Sequence, residues 1–441
     1  MSDAIFNRVE LGEIAEGTSN SFVDGPFGSS LKSEEYTEDG VRLIQLQNIG
    51  TNQWNDANQK FISERKFRSL DRHGAIPGDI AIAKMAEPVA RACIVPDVSA
   101  QFVVVADCIR LRPDTSRFVP SFIVKAINSP YTRLEAEKKA IGSTRVRINL
   151  STLKTVGCLV PPYDHQSKIA TILDTLDEAI RRTEAAVAKL KAMKQGLLHD
   201  LLTRGIDANG NLRSPYTEAP HLYKETPLGW LPKGWQTGKL PGLARSDRPV
   251  LRTGPFGSSL KGEHWREVGR PVITIGSFGE NGFLKHELLF IEERKAISMV
   301  DYEVHDGDIV FSRVADVGRS LVVHAEQAGW IMSSNLMRIS IDPSRLLPSL
   351  VHAQLRHSSR LRKRMSQLVN SAGRDVANSA ILLALDFAVP QPSEQSQIIE
   401  AISAIELTLR CEEEQLDKLR LQKSGLMDDL LTGRVSVTPL L

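Results

Sequence analysis

The residue patterns with which enzymes bind nucleotides or activate a nucleophile are missing from this chain of 441 residues. It contains no Gly-x-x-x-x-Gly-Lys-Ser/Thr loop for nucleotide phosphates and no Gly-x-Gly-x-x-Gly after a strand-like run. The string Gly28-Ser29-Ser30-Leu31-Lys32 does not fit the Gly-x-Ser-x-Gly nucleophile elbow. His352 and His357 are five residues apart, which is the wrong spacing for two metal ligands on one helical face. We identify no catalytic residue and no metal ligand.

A proline-rich string is the nearest approach to an enzyme motif. Enzymes that methylate amino groups of DNA bases carry an Asp/Asn-Pro-Pro-aromatic loop, and residues 160–163 read Val-Pro-Pro-Tyr. Val160 replaces the polar residue that would hold the target amino group, so we interpret these prolines as the end of a domain.

A duplication organises the whole chain. Gly-Pro-Phe-Gly-Ser-Ser-Leu-Lys occurs at 25–32 and again at 254–261, an offset of 229 residues. The same offset relates Gly78-Asp79-Ile80 to Gly307-Asp308-Ile309, with a slip of one residue near Pro120. Such self-similarity indicates a tandem repeat of about half the protein.

Composition is that of an ordinary globular protein, with 41% hydrophobic residues, 24% charged residues and a net charge of +2. The length favours two or more domains. No apolar run approaches the roughly 20 residues that span a bilayer, and no secretory signal is recognised, so we expect a cytoplasmic protein. The cysteines are scattered, which favours reduced, mostly buried thiols, at Cys93, Cys108, Cys158 and Cys411.

Each half reads as an α+β domain followed by a long helix. Strand-like runs occur at 41–47, 79–84, 102–106, 271–275 and 308–313, and the segment 121–140 is predicted to be helical. We predict a first globular domain at 1–158, a spacer helix at 159–205, a linker at 206–224, a second domain at 225–387, a second helix at 388–435 and a tail at 436–441.

Both predicted long helices carry a heptad seam, which is typical of helix–helix packing. The short linker favours antiparallel pairing of helices roughly 60 Å long, giving a pseudo-two-fold dumbbell with one globular domain at each end. The seam consists of Ile169, Leu173, Leu176, Ile180, Val187, Leu190 and Leu197 in the first helix and Ile398, Ile402, Ile405, Leu409, Leu416, Leu419 and Leu426 in the second.

Lys194 and Lys423 interrupt the seam at the same position of the two copies. A polar residue there could fix the register of the helices. Alternatively, each lysine covers the seam with its aliphatic stem while its ammonium group reaches water.

Taken together, these features resemble the DNA-specificity subunits of type I restriction–modification systems. The resemblance rests on the duplicated domain-plus-helix plan, the repeated octapeptide, the Val-Pro-Pro junction and the Leu-Leu-Thr helix ends. It also rests on Gln166-Ser-Lys-Ile169 and Glu394-Gln395-Ser-Gln-Ile398, which look like that family's Glu-Gln-x-x-Ile helix start. His165 stands in place of the glutamate in the first copy, and we expect this to weaken a reciprocal capping interaction at most.

The resemblance implies a non-catalytic subunit that recognises double-stranded DNA. Each globular domain would read one half of a bipartite, asymmetric site, and the paired helices would set the spacer and dock two methyltransferase subunits. This chain would need no cofactor, because S-adenosylmethionine, ATP and magnesium would act in those subunits and in motor/nuclease subunits where the host has them.

Candidate DNA-binding residues follow from the chemistry of phosphates and base edges. Shared positions favour phosphate binding, and differing positions favour base reading. The octapeptide alternatively forms a turn in which Phe27 and Phe256 plug the core. The shared candidates are Ser29, Ser30, Lys32, Lys84, Arg145, Ser258, Ser259, Lys261, Arg313 and Arg374, and the proposed base readers are Arg91, Arg147 and Arg319.

Two other classes of function compete with this interpretation. A coiled-coil scaffold could use the duplicated domains to bind proteins rather than DNA. A self-sufficient methyltransferase or nuclease is disfavoured, since no cofactor loop or carboxylate cluster is present.

Overall fold

The structure, a computed structural model, describes residues 6–26, 30–85, 87–142, 146–256, 259–280, 282–314, 318–371 and 376–441. The chain divides into two compact units, one formed by Met1–Ala185 with Glu413–Leu441 and the other by Ala186–Glu412. Each unit contains one α+β domain and one half of each long helix. Among the described residues, no helix is long and apolar enough to cross a membrane.

The first unit begins with short strands and ends in the first long helix, which continues into the second unit. Its strands are β1 Asn7–Glu10, β2 Phe22–Asp24, β3 Tyr36–Thr37, β4 Val41–Ile44, β5 Phe61–Ile62, β6 Gly74–Ala75, β7 Ile80–Ala83, β8 Ala92–Ile94, β9 Phe102–Val104, β10 Cys108–Leu111 and β11 Gly157–Val160. Its helices are α1 Leu11–Ile14, α2 Glu64–Ser69, α3 Pro120–Ile127, α4 Pro130–Lys139, α5 Leu150–Lys154 and α6 Tyr163–Thr203.

These strands form three sheets within the described residues, with orders β3-β5-β4-β9-β6, β2-β10-β7-β8 and β1-β11. Strand β7 is buried on both faces, which is why Ile-Ala-Ile-Ala carries no polar residue. In the third sheet Asn7 pairs with Val160, so the domain enters and leaves at adjacent antiparallel strands directly before α6.

The second unit repeats this plan after an additional hairpin. Its strands are β12 Tyr223–Thr226, β13 Gly229–Pro232, β14 Gln236–Lys239, β15 Leu251–Thr253, β16 Trp265–Arg266, β17 Arg270–Ile273, β18 Leu289–Ile291, β19 Ile309–Ser312, β20 Ser320–Val322, β21 Ile331–Met332, β22 Leu336–Ile339 and β23 Asp386–Val389. Its helices are α7 Glu293–Ile297, α8 Pro348–His357, α9 Ser359–Ser371, α10 Ser379–Ala384 and α11 Pro392–Thr432.

Equivalent sheets recur in the described part of this unit, with orders β15-β22-β19-β20, β16-β18-β17-β21 and β14-β23. Gln236 of β14 pairs with Val389 of β23, as Asn7 pairs with Val160. The buried carboxylates Asp79 and Asp308 occupy equivalent places, and arginines neutralise both. These aspartates of the Gly-Asp-Ile repeat are therefore structural.

The segment 121–140, which is predicted to be helical, forms two helices. Asn128 ends α3, and Ser129 begins α4 by accepting a hydrogen bond from the Thr132 amide. Pro130 follows at the first helical position, where its missing N–H costs nothing. Ser129 and Pro130 thus set the position of the break.

The long helices α6 and α11 pack against each other, and each unit contains its own part of the pairing. In the first unit Ile169 and Leu173 share a core with Leu430 and Leu431. In the second unit Leu198 and Leu202 share a core with Ile398 and Ile402. The early part of one helix meets the late part of the other, which is the antiparallel arrangement. All the predicted seam residues are buried or half-buried.

The two lysines within the seam form equivalent ion pairs. Lys194 Nζ lies 2.9 Å from Glu406 Oε1 in the second unit, and Lys423 pairs with Asp177 in the first. Glu406 and Asp177 are themselves 229 residues apart. The lysine side chains are only 17% and 22% exposed, so they face a carboxylate across the seam rather than water. This favours the register-fixing interpretation.

Reversal of one charge tests this role. Lys194→Glu places two carboxylates together at a partly buried position, and we expect it to lower the free energy of unfolding by about 1–2 kcal/mol. Adding Glu406→Lys restores the pair in reverse, so most of the loss should be recovered in urea unfolding.

The exposed pair Arg182–Glu178 provides the control for that cycle. Arg182→Glu should change the unfolding free energy by no more than about 0.5 kcal/mol. Additive effects of the two reversals at positions 194 and 406 would contradict a register contact.

Candidate functional site

Three loops that carry candidate residues meet at one end of the first domain. The octapeptide loop starts there with Gly25, whose amide donates to Cys108 O at 2.9 Å. The Lys84 amide, at the start of the β7–β8 hairpin loop, donates to Asp107 O at 2.9 Å. The Ile148 amide, next to Arg147, donates to Lys84 O at 3.0 Å. Backbone hydrogen bonds thus join these loops, which are far apart in sequence, at the points where they leave the strands.

The second domain builds the same junction from equivalent positions. Gly254 donates to Leu336 O at 2.9 Å, Arg313 to Asn335 O at 3.1 Å, and Ala377 to Arg313 O at 2.9 Å. Candidates Ser29, Arg145, Ser258 and Arg374 lie outside the described residues.

The first two residues of the octapeptide are fixed by packing. A Cβ at Gly25 would lie 1.9 Å from Val105 O, and one at Gly254 would lie 2.0 Å from Ser333 O. Pro26 and Pro255 are buried beside them. This explains why Gly-Pro recurs at the start of both loops.

Phe256 is 85% exposed, so the alternative in which it plugs the core is wrong. Pro255 takes the buried position instead, and the Ser259 amide donates to Phe256 O at 2.8 Å. Phe27 lies outside the described residues. An aromatic side chain retained in both copies of the repeat without a packing role in the second is a candidate for contact with a ligand.

The lysines that end the octapeptide are exposed. Lys32 and Lys261 each precede a short 3-10 turn, whose residues Glu35 and His264 accept hydrogen bonds from the lysine backbone amides. Neither lysine side chain forms an ion pair within the described ranges. Ser30 is exposed and Ser259 is half-buried.

The cations at the loop junction form ion pairs in the first domain, whereas Arg313 of the second domain forms no ion pair with a residue that the structure describes. Lys84 Nζ lies 3.0 Å from Asp24 Oδ2, and Arg147 lies 2.6 Å from Asp107 Oδ1. Thr253 takes the place of Asp24 in the second domain. There Arg313, the equivalent of Lys84, has a buried Nε with no hydrogen-bond partner. A buried donor without a partner is costly, and an incoming acceptor would remove that cost.

Arg91 and Arg319 occupy equivalent places, although the one-residue slip hides this in the sequence. Arg91 Nε donates to Ile49 O at 2.6 Å and Nη2 to Leu46 O at 2.9 Å. Arg319 donates to Phe278 O, the equivalent of Ile49 O. Both arginines hold a neighbouring loop in place, and base reading by them stays a prediction.

Gln166 and Gln395 explain the helix-start motif. Gln166 accepts from the Val119 amide at 3.0 Å and donates to the carbonyls of Arg117 and Pro161. Gln395 accepts from the Leu347 amide at 2.8 Å and donates to the carbonyls of Arg345 and Pro390. Each buried glutamine therefore binds its long helix to its globular domain.

The capping role expected for the preceding residue is wrong for Glu394. Its carboxylate accepts from the Ile206 amide at 2.9 Å and pairs with Arg213, so it holds the chain that follows α6. His165, at the equivalent position, lies 3.2 Å from Thr438 Oγ1 in the chain that follows α11. Each residue therefore contacts the chain segment that follows the other long helix, rather than the start of its own helix.

Comparison with known proteins gives one consistent group of relatives. Residues 73–192 match a family model described as the type I restriction modification DNA specificity domain. The putative type I restriction enzyme MjaX specificity subunit of Methanocaldococcus jannaschii is 20% identical over 442 residues, which cover 98% of this chain and 97% of that protein.

Two further proteins extend the comparison. The type I restriction enzyme MjaVIII specificity subunit of the same organism is 19% identical over 317 residues, covering 69% of this chain and 67% of the relative. The crystal structure of a type I restriction-modification S subunit from M. genitalium has a TM-score of 0.60 at 14% identity, covering 98% and 97% of the two chains.

Gln166→Leu tests the attachment of the first long helix. It removes three hydrogen bonds and leaves buried backbone groups without partners, so we expect a loss of about 1–3 kcal/mol in the free energy of unfolding. Gln195→Leu, at an exposed position of the same helix, should be close to neutral. Equal losses in the two variants would refute the proposed role.

Two histidines make the second unit sensitive to acid. Burial, and then the charge of Arg356, lowers the pKa of His352 and of His357 to about 4. The unfolded chain then binds more protons between pH 4 and the ordinary value near 6.5, so stability falls as the pH falls through that window. Each histidine contributes at most about 1.4 kcal/mol per pH unit.

Urea unfolding at pH 7 and at pH 5 measures this contribution. The double variant His352→Gln, His357→Gln should lose less stability than the parent between the two values. His286→Gln, at a site with a 74% exposed side chain, should behave as the parent does. A parental pH dependence in the double variant would show that these groups do not cause it.

Proposed function

Because the chain is similar along nearly its whole length to specificity subunits of type I restriction–modification systems, we propose that it gives such a complex its DNA sequence specificity. In this proposal each globular domain reads one half of a bipartite, asymmetric double-stranded site. The single observation that carries the proposal is the loop junction built twice from equivalent backbone contacts. The same scaffold holds different side chains in the two domains, as expected of two readers of different sequences.

The division of labour within each junction follows from what is shared. Lys32 and Lys261 are exposed cations at equivalent positions and are suited to phosphates, which carry no sequence information. Arg147 matches Val376 and is suited to base edges, where arginine contacts guanine. Arg313 matches Lys84, which lacks a guanidinium group, so here we assign Arg313 to base edges in place of the phosphate contact that a shared cation favours. Phe256, exposed at the loop tip, would contact bases or sugars through its ring.

The long helices have two roles in this proposal. Their fixed register would keep the spacing of the half-sites constant. They would also dock two methyltransferase subunits, and apolar side chains exposed along them support such docking, with Met193 and Leu407 in the second unit and Leu421 in the first.

In this proposal the catalytic reactions take place in the partner subunits. S-adenosylmethionine would bind to the methyltransferase subunits, and ATP and magnesium to motor/nuclease subunits where these are present. The complex would act in the cytoplasm, where the DNA is. A protein-binding scaffold is the competing outcome of the experiments below.

Mapping of methylated adenines gives the main test. The chain is assembled with its methyltransferase subunits and S-adenosylmethionine and exposed to a random duplex library. We expect methylation in a motif with two defined parts separated by a spacer of constant length. Methylation without sequence preference, or in one contiguous motif, would overturn the proposal, and absence of DNA binding by the assembled complex would favour the scaffold.

Arg313→Gln tests whether the second domain reads one half of the motif. We expect it to relax one half of the motif, with a loss of discrimination of about 1–3 kcal/mol at a base pair, while the other half stays unchanged. Arg294→Gln, at an exposed position in α7, is the matched control and should leave both halves intact. Relaxation of both halves together would contradict one domain per half-site.

A further inference from the structure

One helix of the second domain carries an unusual concentration of positive charge. Helix α9 contains Arg360, Arg362, Lys363 and Arg364 and no acidic residue. The corresponding helix α4 of the first domain includes Glu135 and Glu137 among its cations. The duplication has therefore diverged strongly in charge at this place.

Three arginines of the second domain converge on one cleft. Arg319 of the β19–β20 hairpin, Arg356 of α8 and Arg362 of α9 line a space of about 330 Å³. Glu280, which is exposed, is the one carboxylate among the described lining residues. Neither Arg356 nor Arg362 forms an ion pair in the part of the chain that the structure describes. Three cations beside a single exposed carboxylate repel one another, and an anion between them would reduce that repulsion.

In the first domain the equivalent arginine forms hydrogen bonds with residues of the same domain. Arg133, which corresponds to Arg362, donates to Thr51 Oγ1 at 2.9 Å and to Asn128 Oδ1 at 3.0 Å. Glu280 and His357 occupy those two acceptor positions in the second domain. Among the residues that the structure describes, no hydrogen bond from the Arg362 side chain replaces these two contacts.

The cleft adjoins the loop junction of the same domain. Gly318 and Arg319 close the hairpin that starts at Arg313. A Cβ at Gly318 would lie 2.7 Å from Met365 Cε of α9, so the hairpin lies directly against this helix. A ligand at the junction would pass close to the three arginines.

We propose that Arg356 and Arg362, beside Arg319, bind a phosphate group, and that in the assembled complex this is a backbone phosphate of the DNA read by the second domain. Guanidinium groups suit phosphate oxygens because they donate parallel hydrogen bonds and keep their charge. This inference rests on the proposed function. It adds that the second domain makes phosphate contacts that the first domain lacks.

Salt dependence of DNA binding is the direct test. Arg356→Gln with Arg362→Gln should leave the methylated motif unchanged and lower the slope of log binding constant against log salt by about 1 per lost contact. Lys138→Gln, at an exposed position of α4, is the control and should keep the parental slope. A parental slope in the double variant, with the bipartite motif still methylated, would overturn this inference and leave the proposed function standing.

A second experiment tests whether the cleft binds a DNA phosphate or free inorganic phosphate. Thermal unfolding of the full chain is followed with and without inorganic phosphate, using sodium chloride at equal ionic strength as reference. Protection by phosphate that is lost in the double variant, with the DNA salt slope unchanged, would assign the cleft to a free anion and overturn the DNA part. If the double variant is unstable, Arg362→Lys and Arg362→Gln are compared, and equal salt slopes in both and the parent would refute the contact.

Discussion

An ion pair that occurs once in each unit joins the two long helices across their seam. Apolar seams alone would pack almost as well after a shift of seven residues, because the heptad repeats. A shift in one direction would place Lys194 and Lys423 opposite Ile399 and Ala170, so both ammonium groups would lose their carboxylate partners. The opposite shift would place the two lysines opposite Glu413 and Glu184. The ion pairs therefore disfavour one of the two neighbouring registers, and the contacts between each helix and its domain depend on the register that they support.

Two kinds of contact attach each long helix to its globular domain. Gln166 and Gln395 bind only backbone groups, so the attachment tolerates any sequence in the chain segments they contact. The paired strands β1 and β11, and likewise β14 and β23, join the first and last segments of each domain just before its helix. The loops that differ between the two domains are thus supported by contacts that are the same in both domains.

The repeat, the main strands and the seam could be predicted because each is a periodic or duplicated pattern. Contacts of single polar side chains could not be predicted from the sequence. Glu394 binds Arg213, 181 residues earlier in the chain, in place of its own helix end. Arg91 and Arg319 donate to backbone carbonyls, which leave no signature in the sequence. The exposure of Phe256 depends on which neighbour takes the buried position, and composition does not decide that.

The division of the long helices between the units has a consequence for the order of folding. The second unit is one continuous segment, Ala186–Glu412, whereas the first needs its final piece from Glu413–Leu441. Leu430, Leu431 and Val437 belong to the core of that first unit. During synthesis Met1–Ala185 is made before the second unit, yet the first unit closes only after Glu413–Leu441 has been made. Contacts of such long sequence separation form slowly, so the unit that is started earlier is completed later.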